Sequence, residues 1–128
     1  MNDIKFVHTG LAASSEEKAD RFFKDILGLE KSEPKIIDKK LTQAVFGIID
    51  ELIMINYRSA TVEYEIFVYR EYKAPEQQIA HSCVKVNDLK KIVNKCKDAC
   101  LRVIEVPKGA SVVTFISDYD GNLFEVKG

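Results

Sequence analysis

The stretch IAHSCVKVNDL, residues 79–89, is the strongest indication of the fold, because the order of its elements repeats one found near the N-terminus. Residues 79–86 are predicted to form a strand with His81 as its third residue. Asn87 or Asp88 can then cap a helix whose apolar positions recur at helical spacing. IKFVHTGL, residues 4–11, likewise predicts a strand with His8 in its middle, and Ser14 and Ser15 open a second helix that ends at Gly28. The two halves therefore read as repeats of one unit.

Each half continues with segments of strand character. Residues 29–71 carry β-branched and aromatic runs separated by polar breaks at 38–40, 50–51 and 58–60, and three strands are predicted there. YKAPEQQ, residues 72–78, has the composition of a connection. After the second helix, residues 101–127 supply three more strands, with DYDGN as a hairpin turn. The prediction is an α+β fold of two βαβββ modules in a single domain, residues 1–128: module 1 at about 1–72, a linker at about 73–78 and module 2 at about 79–128.

Composition argues against several classes of partner. The chain has 19 Lys and Arg against 20 Asp and Glu, and the two signs are interspersed, so no basic surface for nucleic acid or an anionic membrane is expected. Apolar runs are far shorter than a bilayer span requires, and the first residues lack a secretory pattern. Three cysteines without disulfide spacing suit a reducing compartment. A cytoplasmic protein is therefore expected.

The two histidines of the chain open the two repeats, and each repeat ends on a strand with a glutamate. These residues are His8 and Glu65 in module 1, and His81 and Glu125 in module 2. Any one of them alone would more often be an ordinary strand residue. Their joint placement indicates a site with two imidazoles and two carboxylates, a donor set for a divalent ion such as Ni, Zn, Co, Fe or Mn.

VHTGLAASSEEKADRFFKDILGLE, residues 7–30, and SDYDGNLFEV, residues 117–126, resemble the opening and closing signatures of the vicinal oxygen chelate superfamily. That superfamily includes glyoxalase I, bleomycin resistance proteins and dioxygenases. The resemblance implies curved mixed sheets around a cavity, and places His8, Glu65, His81 and Glu125 at the four metal-ligand positions of glyoxalase I-type members. It also implies a homodimer, and leaves open whether modules pair within one chain or between two.

Among members of that superfamily, a complete set of four ligands is typical of glyoxalase I-type enzymes. The resemblance therefore implies a lactoylglutathione lyase-like metalloenzyme, a lyase or isomerase whose small-molecule substrate is a carbonyl or hydroxy-carbonyl compound. Glu125 or Glu65 would serve as the catalytic base that moves the proton. Two alternatives remain: an Fe-dependent dioxygenase, and a non-catalytic protein that binds an antibiotic or an aromatic ligand. Aromatic residues at Tyr57, Phe67 and Tyr69 could line an apolar pocket beside the site.

Overall fold

The computed structural model describes residues 2–128 and contains two mixed sheets. The first sheet has the strand order β1-β5-β4-β2, with β3 also paired to β4. Its strands are β1 (Thr9–Ala13), β2 (Glu30–Lys31), β3 (Lys35–Ile37), β4 (Leu52–Arg58) and β5 (Glu63–Val68). The second sheet has the order β6-β9-β8-β7, built from β6 (His81–Lys85), β7 (Val103–Lys108), β8 (Ser111–Ser117) and β9 (Leu123–Lys127).

Both sheets place their first strand parallel to their last. β1 pairs with β5 in parallel, β6 pairs with β9 in parallel, and the remaining pairs are antiparallel. A parallel neighbour requires a crossover connection, which each repeat supplies with its helix and intervening strands. The predicted α+β fold of two βαβββ modules is confirmed.

Three helical segments connect the strands. α1 (Glu16–Ala19) continues directly as a π-helical segment, Asp20–Ile26; α2 comprises Lys39–Phe46 and α3 comprises Leu89–Asp98. The Ser15 hydroxyl accepts the N–H of Lys18 at the start of α1, and the Asp88 carboxylate accepts that of Lys91 at the start of α3. Gly28 follows the π-helical segment at φ 72°, which a glycine adopts without strain. No helix within residues 2–128 has the length and apolar character needed to cross a bilayer.

Three details of the predicted elements are wrong. Residues 4–8 lie outside any strand, so His8 immediately precedes β1 rather than occupying a mid-strand position. His81 is the first residue of β6, not the third of a longer strand. Residues 39–46 form helix α2, where a turn and a strand were expected: Asp38 caps its N-terminus and Gly47, at φ 70°, ends it in the left-handed conformation.

An aromatic cluster joins the two modules into one core. Phe22 and Phe23 on the π-helical segment pack against Phe124 of β9 with ring centroids 5.0 and 6.0 Å apart. Phe23 also packs against Tyr57 and Tyr64 of the first sheet, both at 5.4 Å. All five rings are at most 2% exposed. Aromatic residues from both halves of the chain are therefore buried in one hydrophobic core, which the hydrophobic effect stabilises.

The turn before β9 connects module 2 to the end of β1 through hydrogen bonds. The Asn122 side-chain amide donates to the Ala12 carbonyl and to the Asp118 carboxylate, both at 2.8 Å. Asp118 also accepts the N–H groups of Asp120 and Asn122 at 2.9 Å. The backbone N–H of Ser14 donates to Asp120 Oδ2 at 3.0 Å. The DYDGN turn therefore does more than close a hairpin, since its side chains hold the first strand of the other module.

Stability should depend on pH through Asp118. Burial raises the pKa of its carboxyl to about 6, while the hydrogen bonds from Asn122 and Asp120 act in the opposite direction. The folded chain therefore favours the protonated form. The raised pKa adds to the free energy of unfolding at low pH. This stabilisation is complete below the ordinary carboxyl pKa of 3.8 and is lost as the pH rises through about 6.

Asp118→Asn should remove this pH-dependent part of the free energy of unfolding, which is on the order of 3 kcal/mol between pH 4 and pH 7. Urea denaturation at several pH values gives the free energy of unfolding as a function of pH. The slope of that free energy against pH should differ between the wild type and the variant. Asp98→Asn, at the exposed end of α3, is the control and should keep the wild-type slope. If the free energy of unfolding depended on pH equally in the wild type and in Asp118→Asn, the raised pKa of Asp118 would be contradicted.

Candidate metal centre

His8 and Glu65 lie side by side at the edge of the first sheet. Gly10 of β1 pairs with Glu65 of β5, so His8, two residues before Gly10, lies on the same face as the glutamate. His8 Nε2 is 3.4 Å from Glu65 Oε1. Their side chains are 35% and 20% exposed, so both donor atoms are accessible. We call this pair half-site 1.

His81 and Glu125 occupy the equivalent positions of the second sheet. Cys83 of β6 pairs with Glu125 of β9, and His81 precedes Cys83 by two residues, as His8 precedes Gly10. His81 Nδ1 is 2.8 Å from the Ile79 carbonyl oxygen. Because a carbonyl only accepts, Nδ1 carries the proton in this contact, and in the neutral ring Nε2 keeps a free lone pair. We call this pair half-site 2.

The structure does not bring the two half-sites together in one chain. Among residues 2–128, no three His, Cys, Asp or Glu side chains lie close enough to share a metal ion. The reason is the alternation of the end strands. Tyr64 and Ile66 on β5, and Phe124 and Val126 on β9, are buried in the shared core. Glu65 and Glu125 alternate with them, so both carboxylates lie on the faces opposite to that core.

The geometry of half-site 1 fits a divalent ion. Metal–nitrogen and metal–oxygen bonds of about 2.1 Å place two ligands of one ion about 3.0 to 3.4 Å apart, for angles between octahedral and tetrahedral. The 3.4 Å between His8 Nε2 and Glu65 Oε1 falls at the upper end of that range. Half-site 2 offers the same atoms, an imidazole lone pair and a carboxylate. Imidazole with carboxylate suits a borderline transition metal better than a soft one.

The surroundings of the two carboxylates differ. Beside Glu65, Asn56 donates to Glu63 Oε2 at 2.9 Å, and Arg58 is 3.5 Å from the same carboxylate's Oε1. Glu63 is therefore already paired and is not a free ligand. Beside Glu125, Lys127 Nζ lies 4.0 Å from Oε2. The His81 ring packs edge-on against Phe115, with centroids 5.1 Å apart, which fixes the ring's position.

Of the aromatic residues expected near the site, Phe67 and Tyr69 line an apolar cavity on the first sheet. Tyr57 does not: it is fully buried, its hydroxyl donates to Asp20 Oδ1 at 2.7 Å, and burial raises its pKa. Sequence reasoning missed Gly10, which shares the cavity wall and pairs with Glu65. Its signal was a glycine inside a strand, which often marks a close approach.

The fold and the paired His–Glu positions define a class of protein. The sequence profile described as the Glyoxalase/Bleomycin resistance protein/Dioxygenase superfamily matches residues 5–126, nearly the whole chain. The chain belongs to that superfamily, which confirms the resemblance of its opening and closing motifs. None of the functionally curated proteins matches it in sequence.

Solved structures share the fold along the whole chain. A glyoxalase family protein from Enterococcus faecalis has a TM-score of 0.73 at 18% identity, covering 97% of both chains. A variant of the fosfomycin resistance protein FosX from Listeria monocytogenes, complexed with Mn(II) and 1S,2S-dihydroxypropylphosphonic acid, has a TM-score of 0.71 at 15% identity, covering 96% of this chain and 88% of that one. The trypanothione-dependent glyoxalase I of Leishmania major has a TM-score of 0.69 at 17% identity, covering 98% and 87%. At these identities the likeness establishes the fold.

Proposed function

We propose that this chain, a single domain of two modules, binds one divalent metal ion per chain through His8, Glu65, His81 and Glu125. The observation that carries the proposal is the 3.4 Å approach of His8 Nε2 to Glu65 Oε1, repeated in register by His81 and Glu125. The FosX variant of the same fold was crystallised with Mn(II), which supports a divalent ion in this architecture.

The complete site forms between two copies of the chain. One chain presents two half-sites that do not meet, so half-site 1 of one copy needs half-site 2 of another. A twofold dimer satisfies both needs at once, since the exchange of half-sites is reciprocal and yields two equivalent sites. Exposed apolar residues lie before β1, including Ile4, 85% exposed, and Phe6, 86% exposed. A dimer partner covering this segment beside His8 would remove that apolar surface from water.

The chemistry that fits this site is isomerisation or lyase chemistry on a small carbonyl or hydroxy-carbonyl compound. When bound, the ion supplies Lewis acidity to a carbonyl or hydroxyl oxygen of the substrate, which acidifies the adjacent C–H. Glu125 or Glu65 then removes the proton from that carbon and returns it to the neighbouring position. His8 and His81 hold the site's geometry, and the Ile79 carbonyl orients the His81 ring through Nδ1.

Non-catalytic binding of a small aromatic ligand is the second candidate function. The observation in its favour is the apolar cavity that Phe67 and Tyr69 help to form, since such a space can hold a ligand without any reaction. The two functions differ in what the glutamates do. A binding protein would lose nothing when a carboxylate becomes an amide of the same shape, whereas a proton-transfer enzyme would lose its base.

Exchange of carbon-bound hydrogen with solvent tests the catalytic proposal. Hydroxyacetone in deuterium oxide, followed by proton NMR with Mn- or Ni-loaded protein, reports proton removal next to a carbonyl. We expect the wild type to accelerate exchange, and Glu125→Gln or Glu65→Gln to lose it by about 100-fold or more, as removal of a general base does. Metal content is measured on the same samples, and among variants that hold the same amount of metal the one with the larger loss of exchange identifies the base.

Glu63→Gln is the matched control, because Glu63 lies on the same strand and face as Glu65 but is held by Asn56 and Arg58. It should leave exchange within about twofold, as expected for a change outside the site. Equal exchange in the wild type and both glutamine variants at Glu65 and Glu125 would contradict proton transfer by either carboxylate.

A further inference from the structure

An apolar cavity of about 270 Å³ lies against the first sheet, on the face that carries Glu65. Its walls include Gly10 and Ala12 of β1, Leu52 of β4, and Phe67 of β5 with Tyr69 just beyond it. Phe46, the last residue of α2, packs edge-on against Phe67 with ring centroids 5.0 Å apart and closes one side. Helix α2 and the sheet therefore form two walls of a space that stays open to solvent on its remaining side.

The size and lining of the cavity define the group it fits. A dry cavity of about 150 Å³ lined by apolar side chains is large enough to bind benzene. A volume of 270 Å³ therefore holds one ring with a few further heavy atoms, or a branched alkyl group of similar bulk. Leu52 and Phe67 present only carbon to this space, so a charged or strongly polar group entering it would lose its hydration without compensation.

The cavity opens directly beside half-site 1. Gly10 pairs with Glu65 and Ala12 pairs with Phe67, so the cavity begins at the residue adjacent to the carboxylate. A Cβ at Gly10 would lie 3.5 Å from Phe67 Cε2. Because Gly10 has no side chain, the cavity reaches the backbone of β1 at the residue that pairs with Glu65. A ligand bonded to an ion at half-site 1 is therefore one strand position away from the apolar space.

The equivalent positions of the second sheet have a different character. Lys85 and Lys127 pair with each other where the first sheet has Ala12 and Phe67. Both lysines are exposed, and Lys127 lies beside Glu125. The apolar space accordingly belongs to half-site 1 alone, although the two sheets repeat the same strand arrangement.

From this geometry, we infer that the substrate carries a compact aryl or branched-alkyl group next to its metal-binding oxygens, and that this group occupies the cavity beside Gly10. The inference rests on the metal site of the proposed function and adds the substrate class. It sets this protein apart from one whose substrate is small and wholly polar.

Gly10→Val tests the inference with little risk to folding. The new Cβ would lie 3.5 Å from Phe67 Cε2, an ordinary contact distance, and valine suits a strand better than glycine does. We expect the Tm of the variant to stay near that of the wild type while the valine methyls fill the space beside Gly10. Ala12→Leu, which fills the cavity from the same strand, is a second variant should the first fail to fold.

The first arm uses benzene and metal-free protein. Saturation-transfer NMR should show benzene bound to the wild type and about fivefold less signal with Gly10→Val, because the valine methyls take up part of the apolar volume. Cys83→Val places the same residue at the equivalent position of the second sheet, beside Glu125; it is the control and should bind benzene as the wild type does. Absence of benzene binding to the wild type would overturn the inference whatever the metal content.

The second arm uses Mn-loaded protein with benzohydroxamate and acetohydroxamate, which share two metal-binding oxygens and differ in the attached group. Calorimetry should show benzohydroxamate binding about 30-fold more tightly to the wild type, since phenyl buries about 100 Å² more apolar surface than methyl. In Gly10→Val the preference should disappear while acetohydroxamate binding stays the same. Equal affinities in the wild type would overturn the inference and leave the metal site standing. If the wild type bound benzene but neither hydroxamate, the proposed metal site would be contradicted and the cavity would be supported as an apolar subsite.

Discussion

His81→Ala should raise the dissociation constant for the metal ion by about 100-fold or more, and His8→Ala should do the same. Four-ligand protein sites bind zinc with about 10 to 16 kcal/mol, so each ligand contributes roughly 3 kcal/mol, a factor of about 100. Metal content after gel filtration, measured by plasma mass spectrometry, should fall from about one ion per chain to less than about a tenth of that in the double variant.

Glu63→Gln separates this loss from a general effect of charge on the first sheet. It removes a carboxylate two residues before Glu65 that Asn56 and Arg58 already engage, so metal content should stay near one ion per chain. Full metal content in the His8→Ala/His81→Ala variant would show that the ion, if any, is held elsewhere.

The repeated order of elements could be predicted because local physical chemistry specifies the helix starts and turns within it. Ser15 and Asp88 cap the first helix of each repeat, and the DYDGN turn has the residues that a tight turn requires. Helix α2 could not be found from apolar and β-branched composition, since KKLTQAVF is too short for a clear helical period. Its signals were the Asp38 cap and Gly47 eight residues after the first helical position, and both suit a turn equally well.

The residues of the candidate site were within reach of the sequence, but their spatial grouping was not. Alternation along β5 and β9 marks Glu65 and Glu125 as the polar members of apolar strands, and the repeat relates them to the two histidines. Whether the two glutamate-bearing faces meet depends on which faces form the core. Phe22 and Phe23 pack against both sheets, on the faces opposite to the two glutamates. This packing joins residues far apart in the chain, and no local sequence pattern predicts it.

The same limit applies to the strand edges near His8 and to the cavity. Residues 4–7 are as apolar as a strand, yet they are exposed and unpaired in the single chain, because pairing depends on neighbours that composition does not reveal. The role proposed for Gly10 depends on its pairing with Glu65 and on its distance from Phe67, and the sequence alone shows neither.

Mixed dimers test the central claim, a metal site shared between two chains, most directly. One variant carries His8→Ala and Glu65→Gln, the other His81→Ala and Glu125→Gln, so a homodimer of either has no complete site. In a dimer of one of each, both intact half-sites face each other at one site, while the other site has neither.

The two variants would be given different affinity tags, co-expressed and purified through both tags before metal analysis. We expect about one ion per mixed dimer, half the wild-type content, from two proteins that each bind almost none alone. Mixed dimers without metal, alongside wild type with one ion per chain, would show that all four ligands come from the same chain and would contradict the shared site.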